Sequence, residues 1–382
     1  MVSMYTYRFR LEPNEQQKEM FAKTFGCVRF IYNAMLDDKI KHYQEHHVLL
    51  NNTPAQYKGQ FPFLREVDSR ALTNAQINLK SAFANFSNNP NKFGFPSFKK
   101  KHSRQSYSTN IQNVNYRIEN HHLKLPKIGL VRIKDHRNID GICKKVTIVK
   151  EPNGEYYANI LTERDIRPMP SVDGIIGIDL GITDLITLSD GTVYENPKVM
   201  KRYSKKLARE QRKLSRKQKD SRNREKQRIK VARCHSRISN IRKDYSHKIT
   251  HSIVRENQII AVEDLDVKSM MQKGNKTMSR NIADASWYEL IRQLEYKAKW
   301  YGRTFVKIGR YCPSSKLCNV CGYRNKKMSD LSIRLWTCPE CGTFHHRDVN
   351  AAKNILTKGL QKLGENKKKT RAGAARSHAY GE

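Results

Sequence analysis

The stretch Gly174-Ile175-Ile176-Gly177-Ile178-Asp179-Leu180-Gly181 sets an aspartate inside an apolar run. It reads as a buried β-strand, with a tight turn at Gly181 into a second strand, Asp184 to Ser189, and a further turn at Asp190-Gly191. A lone carboxylate taken out of water is costly, so this acid is expected to be paired or to bind a metal. Two other places repeat the arrangement. The apolar strand Ile259-Ile260-Ala261-Val262 ends in Glu263, and Arg347-Asp348-Val349-Asn350-Ala351-Ala352 puts Asp348 at the start of a helix. Three carboxylates on separate elements can converge on two Mg²⁺ ions that activate a water and stabilise the leaving oxygen in phosphodiester hydrolysis. Mg²⁺ suits such a site because it takes few carboxylates and keeps waters and phosphate oxygens as ligands. From spacing alone, Asp184 competes with Asp179, and Asp264 and Asp266 compete with Glu263. For Asp348 the plainer alternative is a helix N-cap.

Just ahead of the third carboxylate lie Cys318-Asn319-Val320-Cys321 and Cys338-Pro339-Glu340-Cys341, each followed by glycine, Gly322 and Gly342. The pattern C-x2-C-x16-C-x2-C is the spacing of a four-thiolate zinc ribbon. Each pair puts two thiolates on one face of a knuckle, and two knuckles complete a tetrahedron. A four-cysteine site is closed, so one Zn²⁺ held by Cys318, Cys321, Cys338 and Cys341 has a structural role. Cys312 lies outside the pattern, while Cys27, Cys143 and Cys234 read as small core residues.

Composition narrows the partner. The 382 residues hold 73 Lys and Arg against 36 Asp and Glu, a formal net charge of +37. So large a one-signed field repels itself and has no use in a small-metabolite enzyme, so it points to nucleic acid. Apolar residues make up 38% of the chain, enough for cores and against wholesale disorder. No run of about 18 apolar residues exists, which excludes a membrane helix. The start, Met1-Val2-Ser3-Met4-Tyr5, has no basic-then-apolar leader, so a cytoplasmic protein is expected. In that setting, five cysteines of eight between Cys312 and Cys341 favour metal over disulfides.

Around this centre the chain is read as several domains. Tyr5, Tyr7, Phe9 and Leu11 alternate with Thr6, Arg8 and Arg10, a strand with a basic outer face. Asn14 is a fair N-cap for a helix carrying Phe21, Phe25, Val28, Ile31, Tyr32 and Met35, and Ser69 to Phe86 reads as a second amphipathic helix. Residues 13–88 therefore form a small helical domain. From about 105 to 168 the pattern turns to strands, with Lys144–Lys150 and Tyr156–Thr162 flanking the turn Asn153-Gly154, a strong hairpin signal. The first strand joins these in one β domain with the helical part inserted, and Pro168 and Pro170 mark its end. Trp287–Tyr301 reads as a helix, Thr304–Ile308 as a strand and Val349–Leu356 as a helix, with a disordered basic tail from Gly359.

Residues 198–245 hold 20 Lys or Arg against 4 Asp or Glu. A solvated face does not need one sign of charge, so this helical region, about 60 Å long if 40 residues were continuous, is expected to follow a phosphate backbone through Arg209, Arg212, Lys213 and Arg216. The loop run Lys99-Lys100-Lys101 is expected to do the same. Phe83, Phe86, Phe93 and Phe95 read as core rather than as base-stacking platforms, and His247 as a surface histidine rather than a ligand.

Gly177-Ile178-Asp179-Leu180-Gly181-Ile182, Val262-Glu263-Asp264-Leu265 and Arg347 to Ala352, with the ribbon before the third, resemble the split RuvC nuclease of the TnpB family. These are RNA-guided endonucleases of insertion-sequence transposons, related to Fanzor proteins and compact type V CRISPR effectors. Phe25 to Asn33, Phe93 to Lys101, Tyr311 to Cys318 and Ala372 to Glu382 also resemble family segments, so nearly the whole chain is covered. The resemblance implies a multidomain α+β fold. Its parts are a β-barrel wedge domain (1–12 and 105–170), a helical recognition domain (13–104), an RNase H-like RuvC core (171–310 and 345–370), the zinc ribbon (311–344) and a flexible tail (371–382). It further implies catalytic, Mg²⁺-holding roles for Asp179, Glu263 and Asp348, a guide RNA from the transposon end at one protein per guide, and a double-stranded DNA target cut beside a short adjacent motif in a prokaryotic cytosol or nucleoid. Two other functions share parts of this pattern: a non-cleaving RNA-guided DNA-binding regulator, against which the complete triad counts, and a DNA-joining transposase, against which the ribbon counts.

Overall fold

The computed structural model of the chain describes residues 2–110, 118–310 and 312–378, with 118–119 and 366–378 described by backbone alone. Two compact units divide between Asp165 and Ile166.

The first unit is built on β1 (Val2–Glu12), whose alternation holds as expected: Tyr7, Phe9 and Leu11 are buried, while Arg8 and Arg10 face outward and pair with Glu151 and Glu155. Asn14 caps α1 (Glu15–His46) in a reciprocal box with Gln17. After α2 (Tyr57–Gln60) and α3 (Ser69–Asn88) come β2 (Gln105–Asn110), β3 (Ile118–Glu119), β4 (His122–Leu125), β5 (Gly129–Lys134), β6 (Ile142–Lys150) and β7 (Tyr156–Asp165). They form an antiparallel sheet in the order β2-β6-β7-β1-β5-β4-β3. The Asn153-Gly154 turn joins β6 to β7 with Lys150 opposite Tyr156, and Gly154 takes φ +86° there. The helices and sheet do not have separate cores. Phe21, Ile31, Leu72 and Leu79 from the helices join Phe9, Tyr107, Ile148 and Ile160 from the strands in one cluster. A helix pair and a single sheet layer each have an apolar face to cover, and here they cover each other.

The second unit holds β8 (Ile175–Leu180), β9 (Asp184–Leu188), β10 (Val193–Glu195), α4 (Val199–Ser215), α5 (Arg222–Glu256), β11 (Ile259–Glu263), α6 (Val267–Lys273), α7 (Lys276–Ala285), α8 (Trp287–Tyr301), β12 (Thr304–Ile308), β13 (Leu335–Thr337), β14 (Phe344–His346) and α9 (Arg347–His378). Its main sheet runs β10-β9-β8-β11-β12. β8, β9 and β10 are antiparallel neighbours, and β11 pairs in parallel with both β8 and β12. Among the described residues no helix is long and apolar enough to cross a membrane.

Two expectations are corrected here. The basic region is not one rod: α4 stops at Arg216, Asp220 takes a left-handed φ of 62°, and Ser221 caps α5. The two helices pack together because Leu207 has apolar partners in Val231 and Cys234. Gly359 is not the start of a loose tail either, because α9 runs through it. A Cβ there would lie 2.6 Å from the Cβ of Ala261, so the glycine serves close packing of helix on strand, not helix termination. Residues 379–382 of the expected tail lie outside the described residues.

The same packing recurs at Gly177, where a Cβ would meet the Ala352 carbonyl oxygen at 2.0 Å and the Leu356 nitrogen at 2.8 Å. Gly364, on the same helix, has nothing within 4 Å. Gly364→Ala should therefore stabilise the protein by up to ~1 kcal/mol through helix propensity. Gly359→Ala and Gly177→Ala should destabilise it by ~1–3 kcal/mol or more, Gly177→Ala most, because helix and sheet must separate. Urea unfolding of the three variants checks the order, and a Gly177→Ala protein as stable as the parent would overturn it.

Candidate active site

Side chains two apart on a strand share a face. Asp179 therefore lies on the face of Gly177, and Glu263 on the face of Ala261. Those are the two positions that α9 covers, at Ala352 and at Gly359 respectively. β8 and β11 are parallel neighbours in the register Ile178 to Val262, so Asp179 and Glu263 follow side by side at their C-terminal ends. Asp348 sits one helical turn before Ala352, in the first turn of α9. All three predicted carboxylates thus gather where the covering helix begins. Asp348 is already inside the helix and not its cap, and Arg334 Nη1 donates to both its oxygens at 3.0 and 3.1 Å.

The competing acids are used elsewhere. Asp264 accepts from Arg310, and Asp266 caps α6 by accepting from the Ser269 amide. Asp184 opens β9 across the Gly181 turn. His247 is exposed on α5, as expected.

Electrostatically the cluster is unbalanced. Burial, followed by the charges of Asp348 and Glu263, pushes Asp179 up to about 7, with Arg347 and Arg334 acting the other way. Burial pushes Glu263 up to about 7 as well. Crowded, desolvated carboxyls holding protons near neutrality suit a divalent cation that would replace those protons.

The ribbon is tied to this site through α9. Arg347 donates to the carbonyls of Asp330, Ile333 and Met328; Asn350 bonds the Asn319 amide and the Leu317 carbonyl; and Asn354 donates to the Ser314 and Leu317 carbonyls. Spacing alone did not single out these clips, or Arg334. The positions 347, 350 and 354, one stripe of a helix, were the available signal.

Among the described residues, the four predicted cysteines are the one group of three or more His, Cys, Asp or Glu whose ligand atoms all lie within 4.8 Å. Cys318 and Cys341 sulfurs are 3.7 Å apart, and Cys321 and Cys338 sulfurs 3.6 Å. A tetrahedron with Zn–S near 2.3 Å has edges of about 3.8 Å, so the donor set fits zinc. Gly322 and Gly342 take φ +79° and +71° to close matching knuckles. The Thr343 hydroxyl and amide hold the Cys341 thiol down at about 6. His345, missed by the spacing, places Nε2 3.1 Å from Cys318 sulfur.

Of the basic residues singled out, Arg209, Arg212 and Lys213 are exposed on α4, at a spacing that shares one face, and Arg216 is exposed at its C-cap. Lys100 and Lys101 are exposed too. Lys99 is turned inward: its Nζ lies 3.9 Å from the Tyr32 ring centroid, and burial lowers its pKa.

Three family models match the chain: OrfB_IS605, described as "Probable transposase", over residues 159–274, the Cas12f1-like TNB domain over 287–355, and an OrfB helix-turn-helix domain over 1–47. Residues 2–47 contain β1 and one helix, α1. A Streptomyces pristinaespiralis protein provisionally named an RNA-guided DNA endonuclease is 40% identical over 93% of this chain and 89% of its own length. Escherichia coli K12 InsQ, provisionally named in the same way, is 33% identical over 94% of this chain and 93% of its own. The solved structure of the mini-RNA-guided endonuclease CRISPR-Cas_phi3 overlays loosely, with a TM-score of 0.45 and 10% identity, over 94% of this chain and 92% of that one.

The raised carboxyls fix a sign for pH. Unfolded, Asp179 and Glu263 release their protons near 4; folded, they keep them to about 7. Across that window the folded protein binds more protons, so stability falls as pH rises, opposite to the usual carboxylate behaviour. In Mg²⁺-free, zinc-loaded protein, melting temperature should drop between pH 5 and 8 relative to Asp179→Asn. Added Mg²⁺ should raise it at pH 8 and do little at pH 5. Parallel curves for parent and variant would contradict the crowding.

Purified protein should contain one zinc per chain. Cys318→Ser or Cys338→Ser should lose it and loosen the first turn of α9, while Cys312→Ser keeps it. Cobalt substitution, with its tetrahedral thiolate absorption, checks the ligand set. Zinc retained by Cys338→Ser would remove that cysteine from the site.

Proposed function

The chain belongs to the TnpB family of insertion-sequence proteins, and we propose that it is an RNA-guided DNA endonuclease cutting at Asp179, Glu263 and Asp348. The observation that carries this is the gathering of those three carboxylates under α9, in a chain similar over nine-tenths of its length to proteins named for that activity. Two Mg²⁺ held there would supply an activated water and stabilise the leaving oxygen of a phosphodiester. The chain's own residues set the stage. β8 and β11 present two carboxyls side by side, α9 brings the third, and Arg334 holds Asp348 in a two-oxygen grip. Gly177 and Ala261 leave no room for a bulkier side chain that would lift the helix and separate the acids.

Within this proposal the sheet β10-β9-β8-β11-β12 with α9 is the RNase H-like RuvC core. Its three antiparallel strands followed by two parallel ones support that assignment. The seven-stranded antiparallel sheet is the wedge, α1 to α3 the recognition element, and residues 311–344 the ribbon. The guide RNA comes from the transposon end and pairs with one strand of a double-stranded DNA target beside a short adjacent motif. The protein grips the duplex through its backbone and shape. The exposed Arg209, Arg212 and Lys213 on α4 and Arg216 at its C-cap, together with Lys100 and Lys101, contact phosphates.

Asp179→Ala should lower guided cleavage by about a thousandfold or more, the equivalent of ~4 kcal/mol of transition-state stabilisation. Guide and target affinity should stay within about twofold. Without Mg²⁺ the variant should melt no lower than the parent, because a crowded acid has been removed. The assay pairs cleavage of a plasmid library, with guide RNA and Mg²⁺, with gel-shift binding and a melt. Wild-type cutting by Asp179→Ala would refute the assignment, and joint loss of binding and melting temperature would make Asp179 a structural residue.

A further inference from the structure

The loop from Asn89 to Arg104 carries an aromatic group whose exposure runs against its expected place in a core. Phe93, Phe95 and Phe98 are 39%, 52% and 49% exposed. The loop that carries them is anchored at two points. Phe95 stands edge-on to Phe83 at 5.6 Å and to Phe86 at 5.5 Å, both on α3. Pro96 beside it is buried. Asn33 on α1 clamps the other end, accepting from the Lys99 amide at 2.8 Å and donating to the Lys99 carbonyl at 3.0 Å. Between Phe93 and Phe95, a Cβ on Gly94 would meet nothing within 4 Å, so the space beside the rings is open.

The rim is cationic. Lys92 Nζ lies 5.4 Å from the Phe93 ring centroid, and Lys100, Lys101, His102 and Arg104 are exposed just beyond Phe98. Lysine is depleted from the centres of protein–protein interfaces. Exposed ring faces within a basic rim are instead how proteins take hold of unpaired nucleotides: phosphates meet cations and bases stack on rings. Asn88, Asn89 and Asn91, exposed just before Phe93 in the chain, carry amides that can both donate to and accept from a 2′-hydroxyl.

We propose that Phe93, Phe95 and Phe98 form a stacking platform for unpaired bases of RNA, the guide RNA of the function proposed above, on which the choice of RNA rests. The rings take successive base faces, and Lys100 and Lys101 hold the phosphates between them.

The test uses full-length protein freed of nucleic acid and three fluorescent probes: a short oligouridine, an oligothymidine of equal length and a DNA duplex. Replacing all three phenylalanines with alanine should weaken oligouridine binding about tenfold or more. The salt slope and the duplex affinity should be unchanged. Phe93→Leu with Phe98→Leu keeps apolar bulk, removes the π faces and should lose affinity in the same direction. Lys100→Ala with Lys101→Ala should instead flatten the oligouridine salt slope by about 0.7 per lost phosphate contact. Oligouridine affinity equal to the parent's in the alanine variant, or an equal loss on duplex, overturns the platform. An equal or greater loss on oligothymidine overturns the assignment to RNA. Guided cleavage by the parent protein, scored alongside, fails independently if the function proposed above is wrong.

Discussion

Everything in the second unit depends on how closely a helix can lie on a sheet. At Gly177 the backbone of α9 lies directly on β8, and at Gly359 only the Ala261 methyl group of β11 stands between helix and strand. Interiors are packed densely enough that one added methyl group is felt. The small residues therefore do more than fill space. They set the height of the helix above the sheet, and with it the distance from Asp348 to the two strand-end carboxylates. Ala351 and Ala352, fully buried, complete the seam. The ribbon is fastened to the same helix by Arg347, Asn350 and Asn354. A single short motif thus carries the seam, the acid and the clips in alternating positions.

The charges work against one another in a useful way. A chain of net charge +37 draws in polyanions over a long range. Beneath α9, at the centre proposed to cut, it gathers three acids that repel phosphate. On the proposed function, cations would neutralise that point before a phosphodiester approached, so attraction and chemistry would be separated in space and by condition. Arg334 sits where the two regimes meet, paired with Asp348 from the ribbon side.

What could be read from sequence was local. Asp179 in its apolar strand, the twin Cys-x2-Cys knuckles with their glycines, the Asn153-Gly154 hairpin and the helix from Trp287 to Tyr301 are written in adjacent residues and lie where expected. What escaped was set by distant partners. Gly359 has the local signature of a helix end, and only Ala261 across the seam makes it a packing position. The fold-back after Arg216 depends on Leu207 finding Val231 and Cys234. Helices and strands of the first unit looked like separate domains because each is amphipathic by itself, and nothing in either pattern says that the other is its lid. Phe95 read as core because aromatic side chains usually are, but its contacts with Phe83 and Phe86 leave half of it exposed.

The three carboxylates are about 85 residues apart along the chain, and the third comes with the helix that closes the sheet. Domains fold from the N-terminal side as they are synthesised. A ribosome that has translated β8 and β11 has made two acids on an uncovered sheet face and nothing to hold them in place. Nascent or prematurely terminated chains therefore already bear most of the positive charge that binds nucleic acid but have no assembled centre. On the proposed function, the order of elements would let unfinished copies bind nucleic acid but not cut it.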